Sequence, residues 1–102
     1  MKSSGLISLK GLLAFQILHL LHKKECCGDD LANLIGNKKG SKLTPGTIYP
    51  ALKFLRRKKL IAYRKNGRKK LYSLTKAGKK EYRNVHTTFV SIFKPLLKIS
   101  KK

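Results

Sequence analysis

The chain has 102 residues, 41% of them hydrophobic, enough for the core of one ordinary domain and not for two. Its 25 Lys and Arg stand against 4 Asp and Glu, a formal net charge of +21 that repels itself unless a polyanion absorbs it, so nucleic acid, taken as double-stranded DNA, is the expected partner ahead of an anionic membrane. Catalysis is not expected: the acids are only Glu25, Asp29, Asp30 and Glu81, positions 29 and 30 point to different helix faces, and no Gly-rich phosphate loop follows a strand.

From Leu6 to about Lys24 the residues are strong helix formers. A helical wheel places Leu9, Leu12, Leu13, Ile17 and Leu20 on one side and Phe15 and Leu18 on the other. A helix apolar nearly all round must be buried on more than one side, most economically between its own domain and a second copy of the chain. The apolar run at 11–21 is not expected to be a signal peptide or a membrane span. Lys10, Gln16 and His19 punctuate it, no small-residue cleavage site follows, and a span needs about twenty apolar residues. Cys26 and Cys27 are adjacent, a spacing that rarely reaches disulfide geometry, so a reducing, cytoplasmic setting is expected. Gly28 or Asp29 can cap a short second helix from about Asp30 to Asn37 through Leu31, Leu34 and Ile35. The Lys- and Gly-rich segment Gly36 to Gly40 then ends it.

The segment Leu43-Thr44-Pro45-Gly46-Thr47-Ile48-Tyr49-Pro50-Ala51-Leu52 reads as a recognition helix running to about Lys59. Thr44 is a suitable N-cap, Pro45 suits the first helical position where its missing N–H costs nothing, and Ile48, Leu52 and Leu55 share one face. The other face is free for a partner and carries Gly46, Tyr49, Pro50, Lys53 and Arg57. The first turn, Thr44 to Thr47, offers small groups and free backbone donors suited to base edges, while Tyr49 and Lys53 are placed for phosphates. Pro50 opposes the carbonyl of Gly46 at a cost of up to about 3 kcal/mol in a regular helix, so a bent first turn is expected.

Residues 60–65 and 68–74 flank Asn66-Gly67, a strong hairpin signal, and a two-residue turn at Asn66-Gly67 would pair Ile61 with Tyr72 and Ala62 with Leu71. The tip then holds Arg64, Lys65, Arg68, Lys69 and Lys70, a concentration of like charge that a phosphate ladder would relieve. Thr75 caps a last helix, on which Tyr82, Val85, Phe89, Ile92, Phe93, Leu96 and Ile99 form one stripe at spacings of three and four. This stripe is longer than a three-helix core can cover. Together with Leu12 and Phe15 it is expected to join two copies of the chain. Pro95 lies off the stripe and can kink or end the helix, and the Lys-rich tail from Lys98 is expected to fray.

The expected fold is mainly α (α+β): a winged helix-turn-helix with a two-stranded β wing over 1–74 and a C-terminal dimerisation helix with a basic tail over 75–102, forming one compact unit. Residues 43–53, the pair Leu60-Ile61, the segment Arg68-Lys69-Lys70-Leu71-Tyr72-Ser73-Leu74-Thr75 and Gly78 closely resemble the PadR family of transcriptional regulators, and the likeness covers roughly residues 5 to 82. The short C-terminal part is similar to the branch with a single terminal helix. The resemblance implies a homodimeric repressor that binds a palindromic operator and is released by a small ligand or a stress signal. It also implies that Thr44, Gly46, Thr47, Tyr49, Pro50 and Lys53 occupy recognition-helix positions and that Arg68 and Lys69 lie on the wing. Where the family commonly opens its second helix with a His-Gly-Tyr type of segment, this chain has Cys27-Gly28-Asp29-Asp30-Leu31. It also lacks Trp, so Phe15, Tyr82, Phe89 and Phe93 would stand in near any ligand pocket.

His19, His22, Cys26 and Cys27 form a soft donor set at helical spacings, but the spacing fits no standard zinc motif and packing is the plainer reading. No metal or cofactor is expected. Two functional readings remain: a sequence-specific dimeric repressor, and a sequence-tolerant architectural protein that coats DNA through charge. Preference for one site over random DNA, by about 10³-fold or more at physiological salt, distinguishes the first.

Overall fold

A computed structural model describes residues 9–36 and 41–100, in the order α1 (Leu9–Lys23), β1 (Cys26–Cys27), α2 (Gly28–Gly36), α3 (Pro45–Arg57), β2 (Ile61–Asn66), β3 (Lys69–Leu74) and α4 (Lys76–Ser100). The expected helix start at Leu6, most of the Gly36–Gly40 loop, the side chain of Ile99 and the end of the basic tail lie outside the described residues. Three helices meet over one face of a small antiparallel sheet, and α4 crosses back against α1. The core is built from Ile17, Leu18 and Leu21 of α1, Leu31, Ala32 and Ile35 of α2, and Ile48, Leu52 and Leu55 of α3, closed below by Cys26, Ile61, Tyr72 and Tyr82. Each fully buried Leu or Ile there contributes roughly 1.5–3 kcal/mol relative to exposure.

The sheet has three strands in the order β1-β3-β2, one more than the expected two-stranded wing. The additional strand is formed by Cys26 and Cys27, which pair with Tyr72 and Leu71. Both thiols are buried and unbridged. The strand runs directly into α2, which begins at Gly28, two residues earlier than expected.

Helix α3 begins at Pro45 as the first-turn proline requires, and it continues without interruption through Pro50. Thr44 occupies the cap position with extended backbone angles, but its side chain does not cap. Its hydroxyl instead meets that of Thr47 at 3.2 Å, while its carbonyl accepts the amides of Thr47 and Ile48. The helix stops at Arg57, two residues before the expected end. Lys59 takes the left-handed conformation (φ 62°), its amide donates to the carbonyl of Arg56, and the amide of Leu60 donates to that of Leu55. These are the two bonds of a Schellman termination, with lysine where glycine is usual.

The wing register corrects the sequence expectation. Ile61 pairs with Leu74, Ala62 with Ser73, and Asn66 with Lys69, so the two-residue turn is Gly67-Arg68. Gly67 has φ +67°, whereas Asn66 and Arg68 keep negative φ. That is the pattern of a type II′ turn, which needs glycine at its first central position and spares asparagine the left-handed conformation a type I′ turn would impose. The pairing is displaced by two residues, so every side chain keeps its predicted face of the sheet. It also brings Tyr63 opposite Tyr72, with ring centroids 5.6 Å apart.

Thr75 caps α4 as expected. Its hydroxyl oxygen accepts the amide of Gly78 at 3.0 Å, and the hydroxyl donates to the carbonyl of Lys59 at 2.7 Å. Its amide donates to the carbonyl of Leu60. Gly78 lies so close to that carbonyl that a Cβ would collide with it, which explains a glycine inside the first turn of a long helix. Helix α4 runs through Pro95 without ending there. Among the described residues no helix is long and apolar enough to cross a membrane.

Candidate nucleic-acid interface

Helix α3 exposes one side along its whole length. Ile48, Leu52 and Leu55 are buried, and the 100° step of the helix then turns Gly46, Pro50, Lys53 and Arg57 outward, all of them exposed. Thr44 and Thr47 are exposed at the helix start. Thr47 and Pro50 border an apolar groove shared with Leu12 and Phe54, on the flank nearer α1. Tyr49, 47% exposed, leans the other way, toward the wing.

Tyr49 lies on the backbone of Gly28, and together they line a concavity of about 340 Å³ with Cys27, Asp29, Tyr72 and the wing residues Arg68, Lys69 and Lys70. The start of α2, the recognition helix and the wing therefore converge on one cationic hollow. The approach of α2 through Gly28 was not apparent in the sequence. A glycine flanked by two cysteines and two aspartates carries no periodic signal, and only the pairing of β1 with β3 brings it beside the wing.

The remaining wing residues are distributed differently from the expectation. The outer end of the hairpin sets Lys65 directly opposite Lys70, an unfavourable like-charge pair. Lys70 and Arg56 are each drawn over the ring of Tyr63, at 4.7 and 5.1 Å from its centroid. Strand alternation turns Arg64 to the opposite face of the sheet, where Glu25 takes its guanidinium through two hydrogen bonds. The guanidinium holds the Glu25 carboxyl below the ordinary carboxylate value. Asp29 is likewise lowered by its hydrogen bond to Lys42. Burial raises the Cys26 thiol and the Tyr72 phenol above their ordinary values.

The residues assigned to a dimer surface divide into two groups. Tyr82 is only 5% exposed and belongs to the chain's own core, with its phenol oxygen 2.6 Å from Nδ1 of His19 and His22 stacked on its ring. Phe15 stacks on Tyr82 and lies 4.5 Å from Phe89 between centroids, and Phe89 stacks on Phe93. Val85, like these phenylalanines, is half-buried. Ile92 and Leu96 are 50% and 55% exposed, Leu12 also lies open, and Val90 and Leu97 extend the same surface. The sequence stripe missed these last two because they lie at its edge rather than on its centre line. His19 and His22 are engaged around Tyr82 while Cys26 sits in the core. Among the described residues no three His, Cys, Asp or Glu side chains gather to hold a metal.

A recognition helix backed by two helices and flanked by a basic hairpin defines a winged helix-turn-helix protein. Residues 17–84 match the family model described as the transcriptional regulator PadR-like family. PadR of Bacillus subtilis, solved in complex with operator DNA, is 32% identical, with 72% of this chain aligned to 46% of that one at a TM-score of 0.61. A PadR family transcription regulator from Clostridium difficile R20291 is 26% identical, covering 90% of this chain and all of that one at 0.71. A transcriptional regulator from Clostridium thermocellum shares the fold at 22% identity and 0.74, over 91% of this chain and 97% of that one. No curated protein matches the chain. The chain belongs to the PadR-like family and is a DNA-binding transcriptional regulator.

Proposed function

We propose that the chain acts as a homodimeric repressor that reads a palindromic operator, with the first turn of α3 in the major groove and the wing on the flanking backbone. One observation carries this reading: Tyr49 of α3, the wing and the start of α2 enclose a cationic hollow beside the exposed face of α3, while the apolar far end of α4 is left uncovered. The B. subtilis relative, whose structure holds operator DNA, supports operator DNA as the partner. On this reading Thr44, Gly46 and Thr47 approach base edges, Tyr49, Lys53 and Arg57 approach phosphates, and Arg68 and Lys69 follow the backbone. In a dimer the two half-sites lie about one helical turn, roughly 34 Å, apart or a multiple of it. A small-molecule or stress effector, a cytoplasmic location and the absence of catalysis belong to the same proposal.

Selection from a random duplex pool tests it. The expected result is one motif with two-fold symmetry, bound about 10³-fold more tightly than random DNA at physiological salt, and altered in Thr47→Ala. Recovery of no motif, with a steep salt dependence alone, would favour charge-driven coating of DNA instead.

A further inference from the structure

We infer that the hollow between Tyr49 and Arg68–Lys70 seats one backbone phosphate, and that Gly28 is the residue that sets Tyr49 on its rim. This deepens the proposal above and rests on its DNA-facing assignment of α3 and the wing.

The lining points to an anion. Arg68, Lys69 and Lys70 all line the hollow, Lys70 with its ammonium over the ring of Tyr63, and among the described residues no acid forms an ion pair with any of them. The single carboxylate on the rim, Asp29, is already bound to Lys42. A guanine edge, with two acceptors and no charge, takes one Arg or Lys, whereas a hollow lined by three cations and a phenol matches the charged oxygens of a phosphate. A cavity of about 340 Å³ also leaves room for bridging water around a phosphate.

Gly28 supplies the geometry. A Cβ built on it would lie 2.8 Å from both Cε1 and the hydroxyl oxygen of Tyr49, closer than such atoms come, so any side chain there would push the ring off its bed. The obstructing atoms belong to the far end of a flexible side chain, so Gly28→Ala moves Tyr49 rather than the backbone. Gly28 is thus a positioning residue acting through Tyr49, which explains why α2 opens with glycine beside the recognition helix.

The test uses the full chain and a duplex bearing the motif recovered by selection, with each phosphate in turn replaced by a neutral methylphosphonate. One linkage in each half-site should weaken wild-type binding about 10-fold and weaken Tyr49→Phe or Gly28→Ala by a clearly smaller factor. The double variant should lose no more affinity than either single one. Equal sensitivity to every linkage in wild type and Tyr49→Phe, or multiplicative losses in the double variant, overturns the seat while leaving DNA binding intact. Wild-type protein that binds no DNA overturns the underlying assignment and the seat with it. Tyr49→Phe removes only a hydroxyl from a half-exposed ring, so its result stands even if Gly28→Ala folds poorly.

Discussion

Arg64 and Glu25, 39 residues apart in the chain, meet as a two-pronged ion pair, with Nη2 2.9 Å from Oε1 and Nε 3.3 Å from Oε2. The pair ties the connection after α1 to the outer face of β2. Arg64→Glu should therefore place two carboxylates together and lower both the melting temperature and DNA affinity. Adding Glu25→Arg should restore both. Recovery of stability without recovery of affinity would return Arg64 to the phosphate-contacting set. The pH dependence follows from the lowered Glu25 value. Its stabilising contribution is fully present above the unfolded value near 4.5 and is lost as pH falls through the lower folded one. The difference in melting temperature between wild type and Glu25→Gln should persist at neutral pH and close only in acid below 4.5.

Ile92, half exposed on α4, tests the dimer without disturbing the monomer's core. Ile92→Asp leaves a solvated carboxylate in a single chain and buries an unpaired charge between two. Sedimentation should show monomers, with operator affinity reduced by 10-fold or more and circular dichroism unchanged. A dimer that persists would move the contact away from this end of α4.

Lys59 is the one described non-glycine residue with positive φ. The left-handed conformation costs a side-chain-bearing residue about 1 kcal/mol, part of which glycine returns as backbone entropy in the unfolded chain. Lys59→Gly should raise stability by roughly 0.5 kcal/mol in urea unfolding, whereas Lys59→Ala should leave it nearly unchanged.

Buried Cys26 sets an alkaline limit. Burial raises its thiol above the ordinary value of 9.0, so the folded state holds the proton longer than the unfolded one. Stability is then full below pH 9 and declines as pH rises through the folded value. Tyr72 and Tyr82 add the same trend from about pH 10. Cys26→Ala should remove the part of the decline that begins near 9, as seen in melting temperature against pH.

The recognition helix was legible because several local signals agreed. Pro45 fixed its start, the spacing of Ile48, Leu52 and Leu55 fixed its buried face, and both are properties of neighbouring residues. Thr75 was legible for the same reason. Strand β1 was not, since two residues have no period and the partner strand lies more than forty positions away. The hairpin was visible but its frame was not, because Asn-Gly satisfies two turn geometries and the choice rests on which residue takes positive φ. Tyr82 shares the stripe with Ile92 and Leu96, and no periodicity distinguishes them. Thr75 and Gly78 pin the first turns of α4 against Leu60, which buries the near end of the stripe and leaves the far end open.

The short pairing of Cys26–Cys27 with β3 has a consequence for operator architecture. It joins the entry of α2 to the wing within one sheet, so the distance between α3 and the hairpin is set inside each chain. On the proposed mode of binding, a half-site would be measured with a gauge of fixed span. In a dimer, tolerance of an inserted or deleted base pair between half-sites would have to come from the helix that links the copies.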